Sequence, residues 1–141
     1  MTDIQGAIGM AQLKKLDGFI SERAKWARYY IEQLGDIEWL RLPAEPKNIK
    51  HGWQSFVAYC DPKKSPAPRN KIMEYLHNRG ISTRPGTHAV HMLKLYKDKF
   101  GIGANDFPDA QDFNNNTMAI PLHNRMTKED YEYIVETFHE L

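Results

Sequence analysis

The side chains with the most chemical potential crowd into one stretch, RGISTRPGTHAVH, residues 79–91. It offers the guanidinium of Arg84, a Pro-Gly turn, a threonine and two imidazoles, His88 and His91. Histidines at i and i+3 could share a helix face and bind zinc, but a zinc site needs further ligands. His51, Cys60 and His123 sit at no recognisable ligand spacing, so no metal site is expected, and the pair reads either as a polar, substrate-facing site or as partly buried histidines with satisfied bonds. Arg84 has a different potential. Just past a predicted strand and ahead of a turn, its planar fork suits a carboxylate or phosphate held by two parallel N–H···O bonds. A surface ion pair is the plainer alternative.

No complete catalytic centre accompanies these residues. There is no nucleophile elbow, no glycine loop to cradle a phosphate and no H-E-x-x-H. Lys14, Lys15, Lys25 and Lys71 lie on charged helical faces and Lys63 and Lys64 in a turn; none has the apolar setting that would activate it for a Schiff base. Cys60 reads as a small core residue on a strand. Trp26, Tyr29, Tyr30 and Trp53 read as core or interface anchors.

The elements that must position the loop follow from periodicity and capping. Thr2 and Gln5 have capping-box spacing, and apolar residues then recur from Ile4 through Ile20 to Leu34 close to a 3.6-residue period. One long N-terminal helix is predicted, closed by a left-handed Gly35. Its first turns are unusually apolar, with Met1, Ile4, Ala7, Ile8, Met10 and Ala11, so that end should project toward something else. Strands are predicted at Ile37–Leu42, within His51–Cys60, at Ile81–Thr83 and at Thr117–Ile120. Helices are predicted over Arg69–Arg79, closed by Gly80, over His91–Lys99, from Pro108 to about Asn115, and after a Thr127 cap with Asp130 at its third position. The irregular alternation excludes a parallel doubly wound sheet. It points to an α+β fold, a small and mainly antiparallel sheet covered by helices on one face, as a single domain over residues 1–141.

Bulk properties narrow the function classes. With 41% hydrophobic and 26% charged residues the composition is that of an ordinary globular chain. A formal net charge of +1 argues against nucleic acid as a partner. Apolar runs of only a few residues argue against a membrane span. The single cysteine and the lack of a basic-then-apolar leader lead to the expectation of a cytoplasmic protein.

Three stretches in order, MTDIQGAIGMAQLKKLD, RGISTRP with its later His and Tyr, and AIPLHNRMTKEDYEYIVETF, resemble the C-terminal part of the DegT/DnrJ family of sugar aminotransferases. These are pyridoxal-phosphate enzymes of the aspartate-aminotransferase fold. The resemblance covers nearly the whole chain but only about the last third of a typical member. It implies a small-domain fragment, with Met1 an internal methionine of a longer protein. The aldimine-forming lysine and the large cofactor-binding domain would lie upstream. By this resemblance the parent moves an amino group from glutamate to a nucleotide-linked keto sugar, and this chain alone is inactive and does not hold pyridoxal phosphate stably.

The site residues come over position by position. Arg84 matches the family's G-I-x-T-R arginine, His91 the histidine of its P-L-H element, and Tyr96 a tyrosine five residues further on. With His88 they form the candidate substrate-binding set. Where many members have Tyr-Pro, this chain has His88 and Ala89; where Gln-Pro follows, it has Leu93 and Lys94. His123 also matches a family position and is read as structural. The exposed apolar start of the first helix leads to the expectation of a homodimer or other self-association. The alternative is a free-standing ligand-binding or interaction module without enzyme activity.

Overall fold

Two antiparallel strands, the first with alternating burial, form the centre of the molecule, whose computed structural model describes residues 1–141. Strand β2 (Phe56–Cys60) turns Phe56, Ala58 and Cys60 inward, and β4 (Thr117–Ile120) pairs with it antiparallel, Phe56 opposite Ile120 and Ala58 opposite Met118. Short edge strands complete the order β1-β2-β4-β3, β1 being Leu40–Arg41 and β3 Arg84–Pro85. All pairings are antiparallel. The α+β expectation holds.

Against the inward face pack α2 (Leu16–Gln33), α3 (Arg69–Asn78) and α6 (Lys128–His139). Their apolar stripes supply Trp26, Ala27 and Tyr30; Ile72 and Leu76; and Tyr131, Ile134, Val135 and Phe138 to one core. Trp26 stacks flat on Tyr131 with centroids 4.1 Å apart, a contact worth about 1 kcal/mol beyond the area buried. Trp53 is fully buried with φ of 46°, a left-handed backbone that costs about 1–2 kcal/mol for a residue with a Cβ. Burying the indole beside Phe56 offsets that cost. The remaining helices are α1 (Asp3–Leu13), α4 (Lys94–Phe100) and α5 (Pro108–Asn116). The expected one-sided covering needs an amendment here. Tyr59, on the outward face of β2, bonds Asp112 and packs on Phe113, so α5 lies on the opposite side of the sheet.

Both capping boxes form, Thr2 with Gln5 and Thr127 with Asp130. Three expectations need correction. The long N-terminal helix is two helices, α1 and α2, broken at Lys14–Lys15, and α1 buries no residue at all. Without a packed face, helix propensity alone does not carry the chain straight through that junction. Gly35 is not left-handed; a Cβ there would lie 2.9 Å from the Ile31 carbonyl, so close approach rather than φ explains it. The Ile81–Thr83 strand is displaced, because ladder pairing begins only at Arg84.

Candidate functional site

The position of Arg84 is set by the way α3 ends. Gly80 takes φ of 78°, its N–H bonds the His77 carbonyl at 2.9 Å, and the Ile81 N–H reaches back to Leu76 at 2.9 Å. That is a Schellman closure, and it drives Ile81 into the core against the Leu76 side of the helix. Extended backbone then alternates, so Ile81 and Thr83 are buried while Ser82 and Arg84 are exposed. Arg84 pairs with Ala119 at the sheet edge.

Beyond it the chain crosses the outward face of the sheet. Gly86 donates its N–H to the Thr117 carbonyl at 3.0 Å, and an added Cβ would meet Val57 Cγ1 at 2.5 Å and Thr117 Cβ at 2.7 Å. Only glycine lets the backbone pass this closely. Ala89 is anchored next, its N–H held by Asn114 Oδ1 at 3.0 Å.

Arg84 opens onto a cleft of about 520 Å³, lined among others by Ser82, His123, Asp130 and Tyr133. The guanidinium makes one long bond, Nη1 to the adjacent Thr83 carbonyl at 3.3 Å, and so keeps most of its donors for an anion. Asp130 is the opposing charge in the cleft, but its carboxylate already accepts the Thr127 N–H at 2.8 Å. Tyr133 donates to the Arg79 carbonyl, tying α6 to the end of α3. The expected structural role of His123 covers its carbonyl, which accepts from Tyr131, and its Nδ1, which accepts from the Arg125 N–H. Its ring is nonetheless exposed in the cleft beside Arg84, a placement that nothing in its sequence context signalled.

The other candidates lie apart from that cleft. His88 is exposed on the loop. His91 is buried in a short 3₁₀ turn, Val90–Met92, with Nε2 3.4 Å from the Ala104 carbonyl and its ring against Phe107. One imidazole in solvent and one against a phenyl ring do not share a metal, and no group of three His, Cys, Asp or Glu side chains is arranged to hold one. Tyr96, half-buried on α4, stacks on Phe100. Cys60 is buried, and desolvation pushes its thiol up to about 11, far from a nucleophile. No helix is long and apolar enough to cross a membrane.

The site thus consists of a small antiparallel sheet with the exposed Arg84 at its edge, bonded only to its neighbour's carbonyl. Residues 1–139 match the profile of the DegT/DnrJ/EryC1/StrS aminotransferase family, and the chain belongs to that family. An uncharacterized protein of Methanocaldococcus jannaschii is 31% identical over 92% of this chain and 34% of its own. The spore coat polysaccharide biosynthesis protein SpsC of Bacillus subtilis is 29% identical over 100% of this chain and 36% of its own. Among solved structures, the putative sugar aminotransferase Spr1654 from Streptococcus pneumoniae superposes with a TM-score of 0.88, 24% identical over 98% of this chain and 34% of its own. That protein is known in apo, PMP and PLP forms. PseC of Helicobacter pylori, an aminotransferase involved in the biosynthesis of pseudoaminic acid, gives a TM-score of 0.88 at 22% identity, over 99% of this chain and 37% of its own. These likenesses show the fold. The chain spans about a third of the length of the relatives it matches.

Whether the residues present fit pyridoxal phosphate turns on lysine. Every lysine is exposed, and none lines the Arg84 cleft. No lysine of this chain sits in the desolvated setting that activates an amine toward an aldehyde.

Proposed function

We propose that this chain is the small domain of a pyridoxal-phosphate-dependent sugar aminotransferase, one that passes an amino group from glutamate to a nucleotide-linked keto sugar. Family membership supports the reaction class, and the SpsC name, that of a spore coat polysaccharide biosynthesis protein, supports amino sugars for surface polysaccharide as products. Such a nucleotide-activated substrate fits a cytoplasmic enzyme. The cofactor and its lysine belong to the remaining two-thirds of the protein, and this chain alone neither transaminates nor holds the cofactor stably.

The observation that carries the chain's own part is the exposed Arg84, engaged only by its neighbour's carbonyl and bordered by Ser82, His123 and Tyr133. Its guanidinium grips the diphosphate of the nucleotide sugar bidentately, with the nearby hydroxyls and imidazole completing the shell. His88 and Tyr96 lie apart from the Arg84 cleft and in this reading meet substrate beyond it, and His91 serves the site through the loop it orders. The role is positional, so in the complete enzyme loss of Arg84 raises KM more than it lowers kcat.

The chain can be tested directly. One anion clamp supports only millimolar affinity, about 4 kcal/mol. Titration with uridine diphosphate, followed by NMR, should shift Ser82, Arg84 and His123 and lose those shifts in Arg84→Ala. Pyridoxal phosphate with borohydride should leave no stoichiometric adduct. Shifts confined to other surfaces would sink the Arg84 assignment, and a single reduced lysine adduct would sink the claim that the chain lacks a cofactor site.

A further inference from the structure

Arg69 is the first residue of α3 and is only 7% exposed, yet no carboxylate pairs with it. Its Nη1 donates to the Thr117 carbonyl at 3.0 Å and its Nη2 to the Asn114 carbonyl at 2.9 Å, while Nε is buried without a partner. Burying a cation against carbonyls alone is expensive, and an apolar side chain of similar volume would fill the same space at lower cost. Burial also pulls the Arg69 pKa below the ordinary arginine value. The cost calls for a return that packing does not supply.

That return lies in what else Asn114 and Thr117 hold. The Thr117 carbonyl accepts a second bond, from Gly86 N–H, which uses both of its lone pairs. Asn114 offers its backbone carbonyl to Arg69 and its side-chain carbonyl to the Ala89 N–H. Both inner anchors of the loop from Arg84 to His91 therefore rest on residues that Arg69 clamps. Thr117 Oγ1 adds a bond to the Phe113 carbonyl, fixing the exit of α5. The guanidinium suits this task because its rigid fork reaches two diverging carbonyls at once, which a lysine ammonium cannot match in geometry.

We propose that Arg69 is a positioning residue: by clamping the carbonyls of Asn114 and Thr117 it fixes the two backbone anchors on which the Arg84–His91 loop hangs. Its value for function rests on the reading of that loop as a substrate wall; the positioning itself does not.

The test is hydrogen exchange of the Gly86 and Ala89 amides in the full chain, with the β2 amides Phe56–Cys60 as internal reference. Arg69→Met should speed exchange at both loop amides by roughly tenfold more than at β2, the scale of one lost charge-assisted bond. Arg69→Lys should recover part of that protection. Asn114→Ala should release Ala89 while leaving Gly86 held by Thr117. Equal acceleration at the loop and β2, or unchanged loop exchange in a folded variant, overturns the proposal. If Arg69→Met does not fold, Arg69→Lys and Asn114→Ala decide it by the same comparison. Uridine diphosphate titration of the same proteins separates the two ideas. Binding that weakens with loop release supports both, whereas a wild type that binds nothing removes the substrate reading and leaves the exchange data to judge the clamp.

Discussion

At the scale of single residues, the loop's geometry rests on glycine for a reason its sequence disguises. Pro85-Gly86 reads as a turn, which would ask glycine for a positive φ; only Gly80 and Gly101 have one. What Gly86 supplies is absence of volume, since a Cβ would sit 2.5 Å from Val57 Cγ1 and 2.7 Å from Thr117 Cβ. Gly86→Ala must therefore push the loop off the sheet or distort the strands, at about 1–3 kcal/mol. Urea unfolding should show that loss, whereas Gly52→Ala, which meets nothing within 4 Å, should stay within about 0.5 kcal/mol of wild type. Equal midpoints for the two variants would show that the loop is not seated as described. The exposure of Arg84 was legible, because extended backbone after the Gly80 closure alternates its side chains. Burial of His91 was one of two readings its sequence left open, and its partners Ala104 and Phe107 come from a later segment that sequence spacing does not bring near.

Among the elements, capping chemistry was the most legible feature and tertiary packing the least. Thr127 with Asp130 and Gly80 after α3 each act within a few residues, so their signatures survive in the sequence. The break at Lys14–Lys15 depends instead on α1 having nothing to pack on, which periodicity cannot reveal. At the other end of the chain, α6 closes with a pH-dependent tie. His139 Nδ1 faces the Val135 carbonyl at 2.9 Å and Nε2 faces Asp36 Oδ1 at 3.2 Å. Both neighbours are acceptors, so only the imidazolium satisfies both, and the backbone bond to Val135 first, then Asp36, raises the His139 pKa above its usual 6.5. A raised folded-state pKa stabilises fully below the unfolded value and loses that stabilisation as pH rises through the folded one. The pair is substantially exposed, so the gain is at most about 0.5 kcal/mol. Thermal melts should show His139→Gln costing stability at pH 5.5 and nothing at pH 8.5. A cost that is the same at both values would mean that packing, not charge, is what the ring contributes.

For the whole molecule, the decisive fact is how much apolar surface is left uncovered. Helix α1 contributes nothing to the core and exposes Ile4 at 74%, Met10 at 65% and Leu13 at 68%, with Ile8, Leu16 and Phe19 continuing the stripe. A second exposed set, Leu93, Leu95, Phe100 and Phe107, flanks the loop after His91. Contiguous apolar faces of this kind mark interaction surfaces. The chain spans about a third of its relatives' length, so the remainder of such a protein is one natural cover. In the 141-residue chain the same surface is open, and copies should pair through it. Sedimentation velocity should show an average mass that climbs with protein concentration, and salt should strengthen rather than weaken the association because the contact is apolar. The double substitution Ile8→Glu with Leu13→Glu should return the protein to a monomer. Because α1 buries no residue, those changes should leave the melting temperature within a degree or two of wild type. A wild type that sediments as a monomer at every concentration would refute the pairing. A double variant that melts far lower would show that α1 belongs to the folded core after all.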